Sequence, residues 1–110
     1  MESCIFCRIA GGAIPTEFVH EDGDAVAFRD IQPQAPVHLL VVPRRHVASL
    51  NEANDEALLG RLLAAARQAA AKAGLEQYRV VINTGADAGQ AVFHLHLHVL
   101  GGRRMAWPPG

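Results

Sequence analysis

Apolar positions recur along the chain with two different periods. Leu58, Leu62, Ala65, Ala66, Ala69 and Ala73 fall at helical spacing and form one apolar stripe. Asn54 is the expected N-cap, Asp55 and Glu56 suit the first turn, and Gly74 suits the position just past the end. One long helix is therefore predicted between Asn54 and Gly74, with small alanines that let it lie close to a sheet. A short helix is predicted over residues 4–10, ended by Gly11 and Gly12. Strands are predicted over residues 16–20, 25–30, 38–42, 79–83 and 92–100. Glu21-Asp22-Gly23-Asp24 holds an Asp-Gly hairpin signal between the first two. Residues 38–42 are nearly all apolar and read as a central strand closed by Pro43. Only one long helix interrupts five strands, so no repeated strand–helix–strand pattern exists. The expected fold is α+β: a five-stranded, mainly antiparallel sheet with the helices on one face.

The last predicted strand carries the chemistry. In Phe93-His94-Leu95-His96-Leu97-His98-Val99-Leu100, side chains of a strand alternate between faces. Phe93, Leu95, Leu97 and Val99 then pack on the core, while His94, His96 and His98 share the other face about 6.5–7 Å apart. A merely solvated face is better served by Thr, Lys or Glu than by three histidines. Two chemistries fit the row. Histidine is the commonest metal ligand, and a neutral imidazole is a nucleophile for phosphorus or carbonyl carbon. Spacing alone does not choose between them.

Composition removes other classes. A chain of 110 residues is the size of one domain, expected to span 1–110. Half of it is hydrophobic and 19% is charged, which is not a disordered composition. A net charge of −1 offers no general basic footprint for nucleic acid and no polybasic membrane tether. No apolar run approaches the roughly 20 residues that a membrane span needs. Met1 to Cys7 lacks the regions of a signal peptide, so a cytoplasmic location is expected. Cys4 and Cys7 are too few for a disulfide scaffold; they read as a metal half-site or a thiol pair, against the plainer reading of two buried thiols.

His94-Leu-His96-Leu-His98-Val-Leu resembles the signature of the histidine-triad (HIT) family, His-φ-His-φ-His-φ-φ with φ apolar. The remainder is similar to the Hint branch, the purine nucleoside phosphoramidases. The supporting stretches are Phe28 to Pro36, His38 to Pro43, Gly89-Gln90, Gly101-Gly102-Arg103 and Trp107-Pro108-Pro109-Gly110. The resemblance implies a HIT-like fold that pairs as a homodimer. It also implies hydrolysis of adenosine or guanosine 5′-monophosphate linked to an amine, through a nucleotidyl-histidine. His96 is then the nucleophile, His98 a donor to phosphate oxygens, and His38 a fourth catalytic histidine near the leaving group. Asp30 is implied as acceptor of the ribose hydroxyls, with Ile31 against the base. Asn83, Gly89 and Gln90 are implied on the phosphate side, with Val92 also at the substrate. Trp107 is implied to reach the partner's site. In some relatives Cys-x-x-Cys, a histidine like His46 and the first triad histidine hold zinc. Here that set is Cys4, Cys7, His46 and His94, a candidate structural zinc site with no organic cofactor.

One departure concerns Ala91, which stands where many Hint proteins carry a serine able to reach the phosphate or the leaving nitrogen. The alternative activities are a dinucleoside polyphosphate hydrolase of the Fhit type, or a zinc-containing nucleotide-binding module without significant turnover. The short chain and its Trp-Pro-Pro-Gly ending favour Hint. His20, beside Glu21, reads as a surface residue, and Arg44-Arg45 and Arg103-Arg104 as solvated turns.

Overall fold

The computed structural model describes residues 3–110. Five strands form one sheet: β1 (Phe18–Glu21), β2 (Ala25–Arg29), β3 (Val37–Pro43), β4 (Tyr78–Val81) and β5 (Leu97–Gly101). Their order is β1-β2-β3-β5-β4, and every neighbouring pair is antiparallel. The β1–β2 hairpin turns where the Asp-Gly signal stands. Asp22 Oδ1 accepts from the N–H groups of Asp24 and Ala25 at 2.8 and 2.9 Å, satisfying donors that the turn would leave free. β3 is the central strand, buried from His38 to Pro43.

Two helices cover the sheet, one on each face. The long helix α2 (Glu56–Lys72) lays Leu58, Leu62, Ala65, Ala66, Ala69 and Ala70 on Ala25, Ala27, Leu39, Val41, Leu97 and Val99. The short helix α1 (Ile5–Ala10) sets Phe6, Ile9 and Ala10 against Val26, Phe28, Leu40 and Val42. The expectation of helices on one face is thus corrected. β2 and β3 are apolar at consecutive positions, so both of their faces need cover. The N-cap of α2 is Asp55 rather than Asn54. Its carboxylate accepts from the Leu58 N–H at 3.1 Å and also holds Arg45, a pair of contacts an asparagine one residue earlier does not make. Gly74 lies past the helix end with φ +81°, as expected.

The histidine-bearing segment departs most from the expected strand. β5 begins at Leu97, and residues 92–96 are irregular. In the β3 register Leu97 faces Val41, so Leu95 would fall opposite Pro43, which has no N–H to offer. Leu95 donates instead to the Val47 carbonyl at 2.6 Å. Leu95, Leu97 and Val99 are buried as expected, but Phe93 is 53% exposed. β5 also lies inside the sheet, between β3 and β4, so it leaves no edge open; the edges are β1 and β4. His20 is not a surface residue. It is 8% exposed, its Nε2 pairs with Asp22 Oδ2 at 2.9 Å, and Lys72, the last residue of α2, donates to its Nδ1 at 2.8 Å. Among the described residues no helix is long and apolar enough to cross a membrane.

Candidate active site

Antiparallel pairing of β3 with β5 brings His38 and His98 together, one from each strand, with Leu40 opposite His98. His38 Nε2 lies 2.8 Å from His98 Nδ1. Asp30 follows β2; its N–H donates to the His38 carbonyl at 2.9 Å, and its Oδ2 stands 3.4 Å from His38 Nε2. The ring protons of this group are assigned by one backbone contact. The Gln34 N–H donates to His38 Nδ1 at 3.0 Å, and a backbone N–H can only donate. His38 therefore carries its proton on Nε2 and gives it to His98 Nδ1. His98 in turn carries its proton on Nε2.

His96 has the complementary tautomer. Its Nδ1 donates to the His94 carbonyl at 2.7 Å, which leaves the Nε2 lone pair free. The ring is buried, its centroid 5.0 Å from that of His98 and 5.1 Å from that of Phe6, which meets it edge-on. Burial pushes His98 down to about 4, with the neighbouring His96 and His38 acting the same way and Asp30 opposing. Burial also lowers His38, again against Asp30. At neutral pH both rings are uncharged donors and acceptors.

A second cluster adjoins the first through His94. Cys4 caps α1, its Sγ accepting from the Cys7 N–H at 3.4 Å, so one helical turn brings the two sulfurs together. Cys4 Sγ is 3.3 Å from His94 Nδ1, Cys7 Sγ is 3.3 Å from His46 Nδ1 and 3.5 Å from His94 Nδ1, and the two Nδ1 atoms are 3.2 Å apart. Zinc binds sulfur at about 2.3 Å and nitrogen at 2.0–2.1 Å, which puts tetrahedral donors roughly 3.3–3.8 Å from one another. His94 also donates from Nε2 to the Pro43 carbonyl at 2.8 Å, so its Nδ1 lone pair turns into the cluster. The donor set fits a tetrahedral zinc ion.

The other expected site residues are placed unevenly. Ile31, next to Asp30, is 94% exposed and free to take an apolar partner. Asn83 is half-buried against Gly89, which has φ +99°, a conformation that favours glycine. Gln90 does not present its side chain to a ligand. Its Oε1 accepts from the Gly85 N–H, and its Nε2 donates to the carbonyls of Ala48 and Val92. It ties the 85–92 loop to the segment after β3. Val92 packs with the α1-side cluster. Trp107 is 82% exposed, 6.0 Å from the Arg79 guanidinium on β4. Three contributors were not expected: the Phe6 ring, the Gln34 N–H and the Pro43 carbonyl. Phe6 sits between the two cysteines, but the face it takes depends on how α1 docks. The two backbone groups leave no side-chain signal.

Comparison with known proteins identifies the family and matches the fold. The model of the HIT domain matches residues 11–105. An uncharacterised HIT-like protein of Synechococcus elongatus is 54% identical over 99% of this chain and 98% of its own. A HIT family hydrolase from Legionella pneumophila has a solved structure that superposes with a TM-score of 0.92, at 50% identity, covering 98% of this chain and all of that one. A histidine triad nucleotide-binding protein from Candida albicans superposes with a TM-score of 0.83 at 32% identity, over 96% of this chain and 83% of that one.

Proposed function

The chain belongs to the HIT domain family, and on that footing we propose that it is a nucleotide hydrolase that cleaves purine nucleoside 5′-phosphoramidates through a covalent nucleotidyl-histidine. The observation that carries the reading is the tautomer pair. An Nε2 lone pair on His96 stands beside an Nε2–H on His98, each fixed by a bond at the far side of its ring. That is a nucleophile next to a proton donor, which a poor leaving group such as an amine requires.

The steps follow from these positions. The anionic phosphate opposes the burial that keeps His38 and His98 uncharged, so the pair takes up one proton as substrate binds. His96 Nε2 attacks phosphorus and the P–N bond breaks. The bonding electrons stay on nitrogen, which takes the proton from His98 Nε2. Water then attacks phosphorus, returns one proton to the His38–His98 pair and releases His96, leaving the nucleoside monophosphate. Splitting the displacement into two transfers lowers each barrier. Asp30 accepts from the ribose hydroxyls and Ile31 meets the base. The reading places the reaction in the cytoplasm, where the two thiols stay reduced.

Zinc is held by Cys4, Cys7, His46 and His94 in this reading, and what it supplies is structural: it fastens α1 to the segment that carries the nucleophile. A homodimer completes the picture. β4 is a free edge, and a groove of about 470 Å³ lined by Tyr78, Arg79, Arg103 and Met105 runs along it, with the exposed Trp107 near by. Light scattering at micromolar concentration is expected to give the mass of two chains; the mass of one overturns this part.

The test of the reaction is turnover of adenosine 5′-phosphoramidate. His96→Ala is expected to lose at least about 10³-fold in kcat while still binding adenosine 5′-monophosphate. His96→Gly is expected to recover part of the rate with added imidazole. Near-wild-type turnover by His96→Ala removes the nucleophile assignment.

A further inference from the structure

The residue implied as a ribose acceptor has a second contact that ribose recognition does not explain. Asp30 Oδ2 faces His38 Nε2 at 3.4 Å, while the same Nε2–H is already directed at His98 Nδ1 at 2.8 Å. The carboxylate is not there by accident of a loose loop. Its Oδ1 accepts from the Gln32 N–H at 2.9 Å, its own N–H is bonded to the His38 carbonyl, and Gln34 of the same turn holds the other side of the His38 ring. One tight turn, residues 30–34, thus grips the carboxylate and the imidazole together.

We propose that Asp30 is a positioning residue for the His38–His98 relay as well as a ribose acceptor, so that ribose binding acts on the chemical step. This deepens the hydrolase reading and rests on it for its kinetic consequence. Three things follow from the geometry. First, the carboxylate lies against the ring edge on which the Gln34 N–H already places the His38 proton, and helps to hold that edge toward His98 Nδ1. Second, it is the only carboxylate facing this pair among the described contacts, the remaining titratable neighbour being His96, so it balances the charge when the pair takes up a proton. Its opposition to the burial that lowers both rings is in keeping with this. Third, ribose hydroxyls that donate to the carboxylate reduce the negative charge it offers to His38, so ribose binding is felt by the relay. The arrangement parallels other histidines whose orientation is fixed by an outer carboxylate.

The variant that isolates the effect is Asp30→Asn. Its side-chain oxygen still accepts from the Gln32 N–H, so the turn keeps its bond. The amide NH2 then replaces Oδ2 and meets the His38 N–H as donor against donor. The decisive substrate is the 2′,3′-dideoxyadenosine 5′-phosphoramidate, which has no ribose hydroxyl for Asp30 to hold. With saturating substrate, Asp30→Asn is expected to lower kcat about ten- to a hundredfold on the dideoxy compound. If Asp30 serves the ribose alone, the variant raises KM on the ribose substrate and leaves kcat on the dideoxy compound within twofold; that result overturns the proposal. A second measurement needs no turnover. In ¹⁵N-labelled protein, long-range ¹H–¹⁵N spectra follow the protonation of the His38 and His98 rings as the pH is lowered. Asp30→Asn is expected to protonate the pair at a lower pH than the wild type, because the balancing charge beside His38 is gone. Unchanged ring titrations in the variant also overturn the proposal. If the wild type cleaves neither compound, the hydrolase reading fails, and the ring spectra still decide whether Asp30 sets the relay.

Discussion

Two clusters of titratable side chains adjoin His96, and their protons are arranged by different rules. In the Cys4, Cys7, His46 and His94 group, the donors converge on one centre, and the known proton lies outside it, on His94 Nε2 against the Pro43 carbonyl. In the Asp30, His38 and His98 group, the protons lie between the residues and all run one way, from Gln34 through His38 to His98. Both groups bring three or four potential ligand atoms within 4.8 Å of one another. Only the first leaves its lone pairs pointing inward. A metal in the second would have to displace the proton of His38 Nε2. Proximity of ligands therefore does not define a metal site; the positions of the second-side hydrogen bonds do. His94 and His96 join the two groups, because the carbonyl of the one orients the ring of the other.

The largest effect that separates the clusters is on stability. Cys7→Ser, or removal of zinc by a strong chelator, is expected to lower Tm by about 10 °C or more, because metal binding to a closed four-ligand site adds directly to folding. Elemental analysis of protein purified without chelator is expected to show about one zinc per chain. Zinc below about 0.2 per chain, with full stability, would make the cluster a pair of thiols packed on two histidines. On the other side, His98→Gln is expected to cost about 10²-fold in kcat while moving Tm by less than about 3 °C. If His98→Gln instead unfolds the protein and Cys7→Ser spares it, the structural and chemical roles have been assigned to the wrong clusters.

Sequence made much of this legible, and the limits have physical causes. Helical spacing identifies the α2 stripe, since Leu58, Leu62 and the alanines are the residues that pack on the sheet. Alternation places Leu95, Leu97 and Val99 inward although only part of that segment is regular strand. It fails at Phe93, because the ladder stops where Pro43 cannot pair. Periodicity cannot see the burial of His20, because part of its cover comes from Lys72, far along the chain. The histidine motif singles out the residues, yet the proton positions depend on the carbonyls of His94 and Pro43 and on the Gln34 N–H. Every residue has such backbone groups, so their use is visible only after folding. Gln90 shows the converse: a polar side chain beside the motif that the fold consumes for itself.

The smallest expected effect is the pH dependence of stability, and it tests the relay side by itself. An unfolded histidine titrates near 6.5, whereas His98 in the fold is held down at about 4, first by burial and then by its histidine neighbours. Between these values the unfolded chain binds the proton and the folded chain does not. Stability therefore falls as the pH drops from about 6.5 toward 4, and it is insensitive to this group above that window. His98 is partly open to solvent, so the expected difference is modest: about 3–5 °C of extra Tm loss between pH 7 and pH 5 in the wild type compared with His98→Gln. The comparison of two proteins cancels every contribution common to both. Adenosine 5′-monophosphate sharpens the test, since its phosphate favours the protonated pair. Its stabilising effect is expected to grow more from pH 7 to pH 5 in the wild type than in His98→Gln. If thermal scans give parallel pH profiles for the two proteins, with and without nucleotide, then His98 is not held neutral by burial, and the relay cannot take up its proton with the substrate.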